Sequence, residues 1–165
     1  MLRRETTGTI SMEWMLMPFR RYADFRGRSC RKEYWLFQLL VLIVYAVLGM
    51  AALAVALRLG VFSMKNSEDI FVALTHQPWL WLVIGIAGIF SLAVIIPSVA
   101  VVVRRLHDLG YSGWWYAGYA VVSQIPYVQW LIIIGFLIVM CIKGTSGENR
   151  FGADPLDRSN AHVFA

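Results

Sequence analysis

The chain has 165 residues, 59% of them hydrophobic and only 15% charged, with a mean hydropathy of +0.62. A water-soluble domain of this size carries about 25% charged residues, so the composition argues against an ordinary soluble protein and points to a chain solvated by lipid. Net charge is +5, but eight of the fifteen Lys and Arg residues precede residue 33 and abut an apolar run; this placement reads as membrane topology and excludes a nucleic-acid-binding stripe.

Residues 1–11 are polar and are expected to form a flexible extension. The first 33 residues hold no apolar core of the kind a cleavable signal needs, so the first apolar run is expected to act as an uncleaved anchor. In MEWMLMPFRRYADF, Trp14, Met17, Tyr22 and Phe25 fall on one helical face broken at Pro18, which predicts an amphipathic interfacial helix. A first span is predicted over about 34–57, where Gln38 is the main polar residue. At about 1.5 Å per residue it measures roughly 36 Å, enough to cross with tilt. Tyr34 and Trp35 mark its interface, and Gly49, Ala52 and Ala56 offer a small-residue face for helix packing.

Residues 58–78 form a polar loop, in which His76 reads as a solvated histidine. A second span is predicted over about 79–103, with Gly85, Gly88 and Ser91 as a small face and Pro97 as a kink. The apolar stretch 114–142 would be about 43 Å long as one helix, more than the hydrocarbon core of about 30 Å. Gln124 and Pro126 lie in its middle. It is either one kinked, tilted span or a short, re-entrant arm over 114–124 followed by 127–142. Charge favours the hairpin. With a cytoplasmic N-terminus, Arg104 and Arg105 are inside, and the tail residues Lys143, Arg150 and Arg158 prefer the same side. The predicted fold class is thus an all-α polytopic membrane bundle. It has two long spans, a C-terminal hairpin or kinked span and an N-terminal interfacial helix, in one membrane domain over 12–155 with a flexible tail over 156–165.

Catalytic chemistry finds little support. Cys30 and Cys141 imply no disulfide framework, and three histidines without a C-x-x-C spacing make no recognisable metal site. Cys30 lies among Arg28, Arg31 and Lys32, which favour a thiolate, yet the plainer reading is an inert cysteine. His107 and Asp108 are adjacent, as in metal phosphohydrolases, but the further His and Asp ligands are missing. There is no G-x-S-x-G, H-E-x-x-H or P-loop. Neither an enzyme nor a cofactor is expected.

Three polar signatures flank the apolar runs: FRGRSCRKEYW at 25–35, RRLHDLGYSGWW at 104–115 and KGTSGENRFGADP at 143–155. In this order they resemble the domain-of-unknown-function 805 family of small bacterial inner-membrane proteins. Phe25, Gly27, Arg28, Arg31, Glu33, Tyr34 and Trp35 match the family's first motif; Arg104 to Asp108 with Ser112 to Trp115 match the second. Gly144, Thr145, Gly147, Asn149 to Gly152, Asp154 and Pro155 match the third. The resemblance implies an integral inner-membrane protein without an established activity, and it supplies no catalytic residues.

Two readings of the motifs stand side by side. In the architectural one, glycines turn the chain, tryptophans anchor at the interface, and Glu33 and Asp108 pair with neighbouring arginines. In the ligand reading, Arg26, Arg28, Arg31, Arg104, Arg105 and Arg150 converge on a phosphate, with Gly144 and Gly147 offering backbone N–H groups. The candidate cluster is therefore Arg26, Arg28, Arg31, Glu33, Arg104, Arg105, His107, Asp108, Asn149 and Arg150. The expected partners are membrane lipids, anionic phospholipid among them, together with a second copy or another membrane protein. The expected role is a membrane scaffold or binding module; the alternative is an oligomeric channel or small-solute transporter.

Overall fold

In lipid a backbone must satisfy its own hydrogen bonds, and a helix does so within one segment. The structure, a computed structural model, describes residues 7–156. Among these residues the chain forms α1 (Thr7–Arg20), α2 (Arg31–Arg58), α3 (Ser67–Thr75), α4 (Pro78–Asp108), α5 (Trp114–Val122) and α6 (Gln129–Cys141), with a 3-10 turn at Val61–Ser63. Part of the expected extension (1–6) and nearly all of the expected tail (157–165, with Arg158 and His162) lie outside the described residues.

The two predicted spans are α2 and α4, of 28 and 31 residues, or about 42 and 46 Å. Both are apolar and long enough to cross a membrane. Each is longer than its apolar run. Arg31, Lys32 and Glu33 form the first turn of α2, and Arg104 to Asp108 form the last turn of α4. The RRLHD signature is thus a helix terminus, not an interhelical loop. Pro97 sits inside α4, which continues through it.

Helix α1 corrects part of the sequence reading. It begins at Thr7, within the expected extension, and ends at Arg20. Tyr22 and Phe25 therefore lie beyond it and share no helical face with Trp14 and Met17. The end has a local cause: after Pro18 the chain turns through Arg21 to Asp24, and Gly27 takes a left-handed φ of 76°.

The chain forms two compact units. One, Leu39–Ile95, contains the apolar lengths of α2 and α4 together with α3. Many of its apolar side chains are exposed, Met50, Ile89 and Leu92 among them, as expected where lipid replaces water. The Tyr45 hydroxyl and Ser91 Oγ lie 2.7 Å apart, and Ser91 also donates to the Ala87 carbonyl, so these polar groups satisfy each other. A Cβ added at Gly49, Gly85 or Gly88 meets nothing within 4 Å. Among the described residues, the glycine positions of the small-residue faces are open, while Ser91 of the second face is met by Tyr45.

The other unit, Met1–Gln38 with Ile96–Ala165, holds the core: Phe37, Ala100, Val101, Leu106 and Met140 are buried. Phe19 of α1 meets Phe37 edge-on at 5.4 Å. The stretch after Trp114 is two helices, not one kinked span. Helices α5 and α6 have 9 and 13 residues, about 13 and 20 Å, and each is too short to cross a core of about 30 Å alone. They are joined through Pro126 and Tyr127, whose φ is 69°. Tyr119 stacks on Phe136 with centroids 4.1 Å apart, and α6 returns its C-terminal end to the last turn of α4.

Candidate functional site: a polar hub at converging helix ends

A helix leaves its last carbonyls without internal partners and carries about half a negative charge at that end. Three such ends, those of α1, α4 and α6, meet in one unit beside the N-terminal turn of α2. The ends of α4 and α6 are closed by groups from elsewhere in the chain, and the turn that follows α1 is held in the same way.

The end of α4 is capped twice. Gly110, with φ 83°, lets the Gly110 and Tyr111 amides turn back to the His107 and Leu106 carbonyls at 3.0 and 2.9 Å. This is a Schellman closure, and it requires the left-handed residue that glycine supplies. The tail then covers what remains. Thr145 donates its amide and its hydroxyl to the Asp108 carbonyl at 2.9 and 3.0 Å, and Asn149 Nδ2 donates to the His107 carbonyl at 3.0 Å. The Arg104 carbonyl accepts from the Ser29 amide at 3.1 Å.

Arginines close the end of α6 and hold the turn after α1. Arg105 donates to the Met140 and Ile142 carbonyls at the end of α6, and Arg31 reaches the Cys141 carbonyl at 3.3 Å. Arg104 donates to the Asp24 and Arg21 carbonyls just beyond α1. Arg28 gathers the tail by donating to the carbonyls of Thr145, Gly147 and Gly152.

Two carboxylates complete the hub. Asp108 accepts from Arg28 on one oxygen, with Nε at 3.0 Å and Nη2 at 2.9 Å, and from Arg105 on the other. Glu33 accepts from Arg104 at 2.9 Å and from the Ser29 hydroxyl at 2.8 Å. Arg28, Arg104, Arg105, Glu33 and Asp108 are all buried. Counted by formal charge, three cations face two anions. The ends of α4 and α6, at about half a negative charge each, act against that excess. Arg104 Nε is the buried side-chain nitrogen left without a partner among the described residues.

Of the ten expected residues, the structure brings together Arg28, Glu33, Arg104, Arg105, His107, Asp108 and Asn149. Arg31 and Arg150 sit at the margin, where Arg150 donates to the Gly110 carbonyl at 2.9 Å and lies over the Phe151 ring at 4.7 Å. Arg26 is exposed, and its amide donates to Asp24. His107 stacks on Phe151 with centroids 4.0 Å apart, and its Nδ1 lies 3.2 Å from the Gly27 carbonyl, to which it donates.

The glycines of the tail serve packing more than anion binding. The Gly147 amide donates to Asp154, and a Cβ on Gly144 would collide with the Asp108 carboxylate. Gly113 is likewise needed for space: an added Cβ would stand 2.7 Å from Val103. Ser29, Asp24 and the carbonyls at Met140, Ile142, Thr145 and Gly147 escaped the sequence reading. Carbonyl acceptors have no residue signature, although the arginine placed three residues before Asp108 was a visible sign.

Cys30 is buried, and burial pushes its thiol above the ordinary range despite amide hydrogen bonds from Lys32 and Glu33. The cations beside it in sequence do not make it reactive. Partial burial alone would raise Asp24, but hydrogen bonds from Arg21 and from the Arg26 amide hold its carboxyl below the ordinary value.

The family described as "Protein of unknown function (DUF805)" matches residues 22–153, a range that takes in the first two signatures and most of the third. Inner membrane protein YhaI of Escherichia coli (strain K12) is 34% identical over 149 residues, covering 90% of this chain and 100% of its own. Inner membrane protein YhaH of the same strain is 39% identical over 144 residues, covering 87% of this chain and 97% of its own. No solved structure matches the chain.

Proposed function

The chain belongs to the DUF805 family and is an integral inner-membrane protein; from that premise we propose that it is a small multi-pass scaffold, not an enzyme, whose cytoplasmic end holds anionic lipid headgroups. The observation that carries this reading is the division of its cations. The buried Arg28, Arg104 and Arg105 spend their donors on carbonyls and carboxylates of the same chain. Around them Arg20, Arg26, Arg31, Lys32, Lys143 and Arg150 are exposed, and none pairs with a carboxylate among the described residues.

Among the described residues of the same unit the exposed carboxylates are Glu13 and Glu148, so the described rim is cationic. Each such cation gains about 1 kcal/mol beside an anionic leaflet. The exposed Trp114, Trp115 and Tyr111 suit the headgroup layer. This assignment moves the headgroup contacts from the whole arginine cluster to its rim. It also places the N-terminus and the tail in the cytoplasm, as the positive-inside rule favours.

The test is a thermal-stability titration of the full-length protein in neutral detergent. Phosphatidylglycerol is expected to raise the melting temperature more than phosphatidylcholine. The triple variant Arg26→Gln, Lys32→Gln, Lys143→Gln is expected to lose most of that difference, as is the unaltered protein in high salt. Equal responses to the two lipids, or an undiminished response in the triple variant, would overturn the proposal.

A further inference from the structure

Where the chain turns after α1, residues 20–26 line a shallow concavity of about 470 Å³. Three of the lining side chains are Arg20, Arg21 and Arg26; Tyr22, Asp24 and Phe25 lie between them.

The turn is fixed from within and from below. Arg21 donates to one Asp24 oxygen from Nε at 2.9 Å and from Nη2 at 2.7 Å, and Nη2 also donates to the Arg26 carbonyl at 3.0 Å. The other Asp24 oxygen accepts from the Arg26 amide at 3.0 Å. The buried Arg104 holds the Arg21 and Asp24 carbonyls. A Cβ on Gly27 would stand 3.3 Å from Arg21 Nη2, so the glycine leaves room for this guanidinium.

The donors of the concavity exceed what the turn uses. Arg20 and Arg26 are exposed and pair with no carboxylate among the described residues. Arg21 Nη1 meets no acceptor among the described residues. Three guanidinium groups thus share one concave surface with one carboxylate, and that carboxylate is already engaged. A carboxylate is satisfied by one planar fork, as Asp24 is by Arg21. A phosphate has oxygens for several forks at once, so it suits this arrangement better. The exposed Tyr22 and Phe25 flank the site, and aromatic side chains favour the headgroup layer.

We infer that the concavity at 20–26 seats the phosphate of an anionic phospholipid headgroup, held by Arg20, Arg26 and the outer edge of Arg21. The inference rests on the reading of the rim as a headgroup surface and gives that surface one saturable site. Asp24 has two effects there. It presets Arg21, and as an anion in the same wall it limits how tightly the phosphate binds.

The test is calorimetric titration of the full-length protein in neutral detergent. One probe is a soluble, short-chain phosphatidylglycerol; the other is inorganic phosphate. Saturable binding of the lipid is expected. Arg20→Gln with Arg26→Gln should weaken it about tenfold or more, and Arg58→Gln, outside the concavity, should leave it unchanged. Arg20→Lys with Arg26→Lys keeps the charge but loses the planar fork. That pair should weaken the titrated binding several-fold while the thermal preference for phosphatidylglycerol persists. Asp24→Asn retains an acceptor for the Arg26 amide and should tighten binding a few-fold.

Undiminished binding in the glutamine pair overturns the seat and leaves the rim standing. Lysine variants that bind as tightly as the unaltered protein also overturn it, since general charge then suffices. Unchanged or weaker binding in Asp24→Asn overturns the limiting effect given to that carboxylate. Inorganic phosphate that binds as tightly as the lipid overturns the headgroup as the source and assigns the seat to a soluble phosphate. Absence of the thermal preference in the unaltered protein overturns the proposed function instead.

Discussion

At the scale of single residues, the buried carboxylates have become structural anions by virtue of what surrounds them. Glu33 faces Arg104 and Ser29, and all are sealed from solvent. Removing one partner strands a buried charge, at a cost of about 3–5 kcal/mol. Glu33→Gln is expected to lower unfolding stability by that order, read by denaturant titration in micelles. Asp24→Asn touches the half-exposed Arg21 pair and is expected to cost no more than about 1 kcal/mol. Because the folded Asp24 carboxyl lies below its ordinary 3.8, its small contribution is present above that pH and is lost as pH falls through the lower folded value. Gly144→Ala pushes a methyl into the Asp108 carboxylate and is expected to cost about 1–3 kcal/mol by overpacking. The two cysteines should part company as well. Cys30 is buried with a raised thiol while Cys141 is exposed, so maleimide should label Cys141 readily and Cys30 only on unfolding; equal rates would contradict the burial.

At the scale of elements, the hub is a device for finishing helices. Arg105 sits at the end of α4 but closes the end of α6. Arg105→Gln is expected to free the carbonyls of Met140 and Ile142 and to speed hydrogen exchange over residues 139–145, with little change in α2. The turn between α5 and α6 stores strain at Tyr127, an exposed tyrosine with φ 69°. Tyr127→Gly removes a conformational cost of about 1 kcal/mol, so it should leave stability unchanged or slightly raised; a clear loss would mean that the tyrosine ring makes contacts that matter.

The long spans were legible in the sequence because apolar length alone reports them, and Gln124 with Pro126 exposed the break in the last apolar stretch. The extent of α1 was less legible, since aromatic spacing at Tyr22 and Phe25 continued past the point where the backbone turns. Membership of the polar cluster was legible from residue type only in part, since Arg26 stands outside it and Ser29 was not foreseen. Its meaning was not, because Arg28 finds its partners 80 to 124 residues away, and most are backbone carbonyls that no side-chain pattern announces.

For the molecule as a whole, three signatures scattered over the chain make one structure that satisfies its own charges. The first signature supplies Arg28, Ser29 and Glu33, the second Arg104, Arg105 and Asp108, and the third the carbonyls and side chains that cover them. In the proposed topology this hub keeps all three signatures on one side of the membrane, with α5 and α6 leaving and returning. The most direct measurement is a pair of reporters, one active only outside the membrane and one only in the cytoplasm, fused to the C-terminus and inserted separately into the segment between α2 and α4 of the full chain. Cytoplasmic signal is expected from the C-terminal fusion and external signal from the segment between α2 and α4. External activity at the C-terminus would place the third signature across the membrane from the first two and would contradict the hub outright.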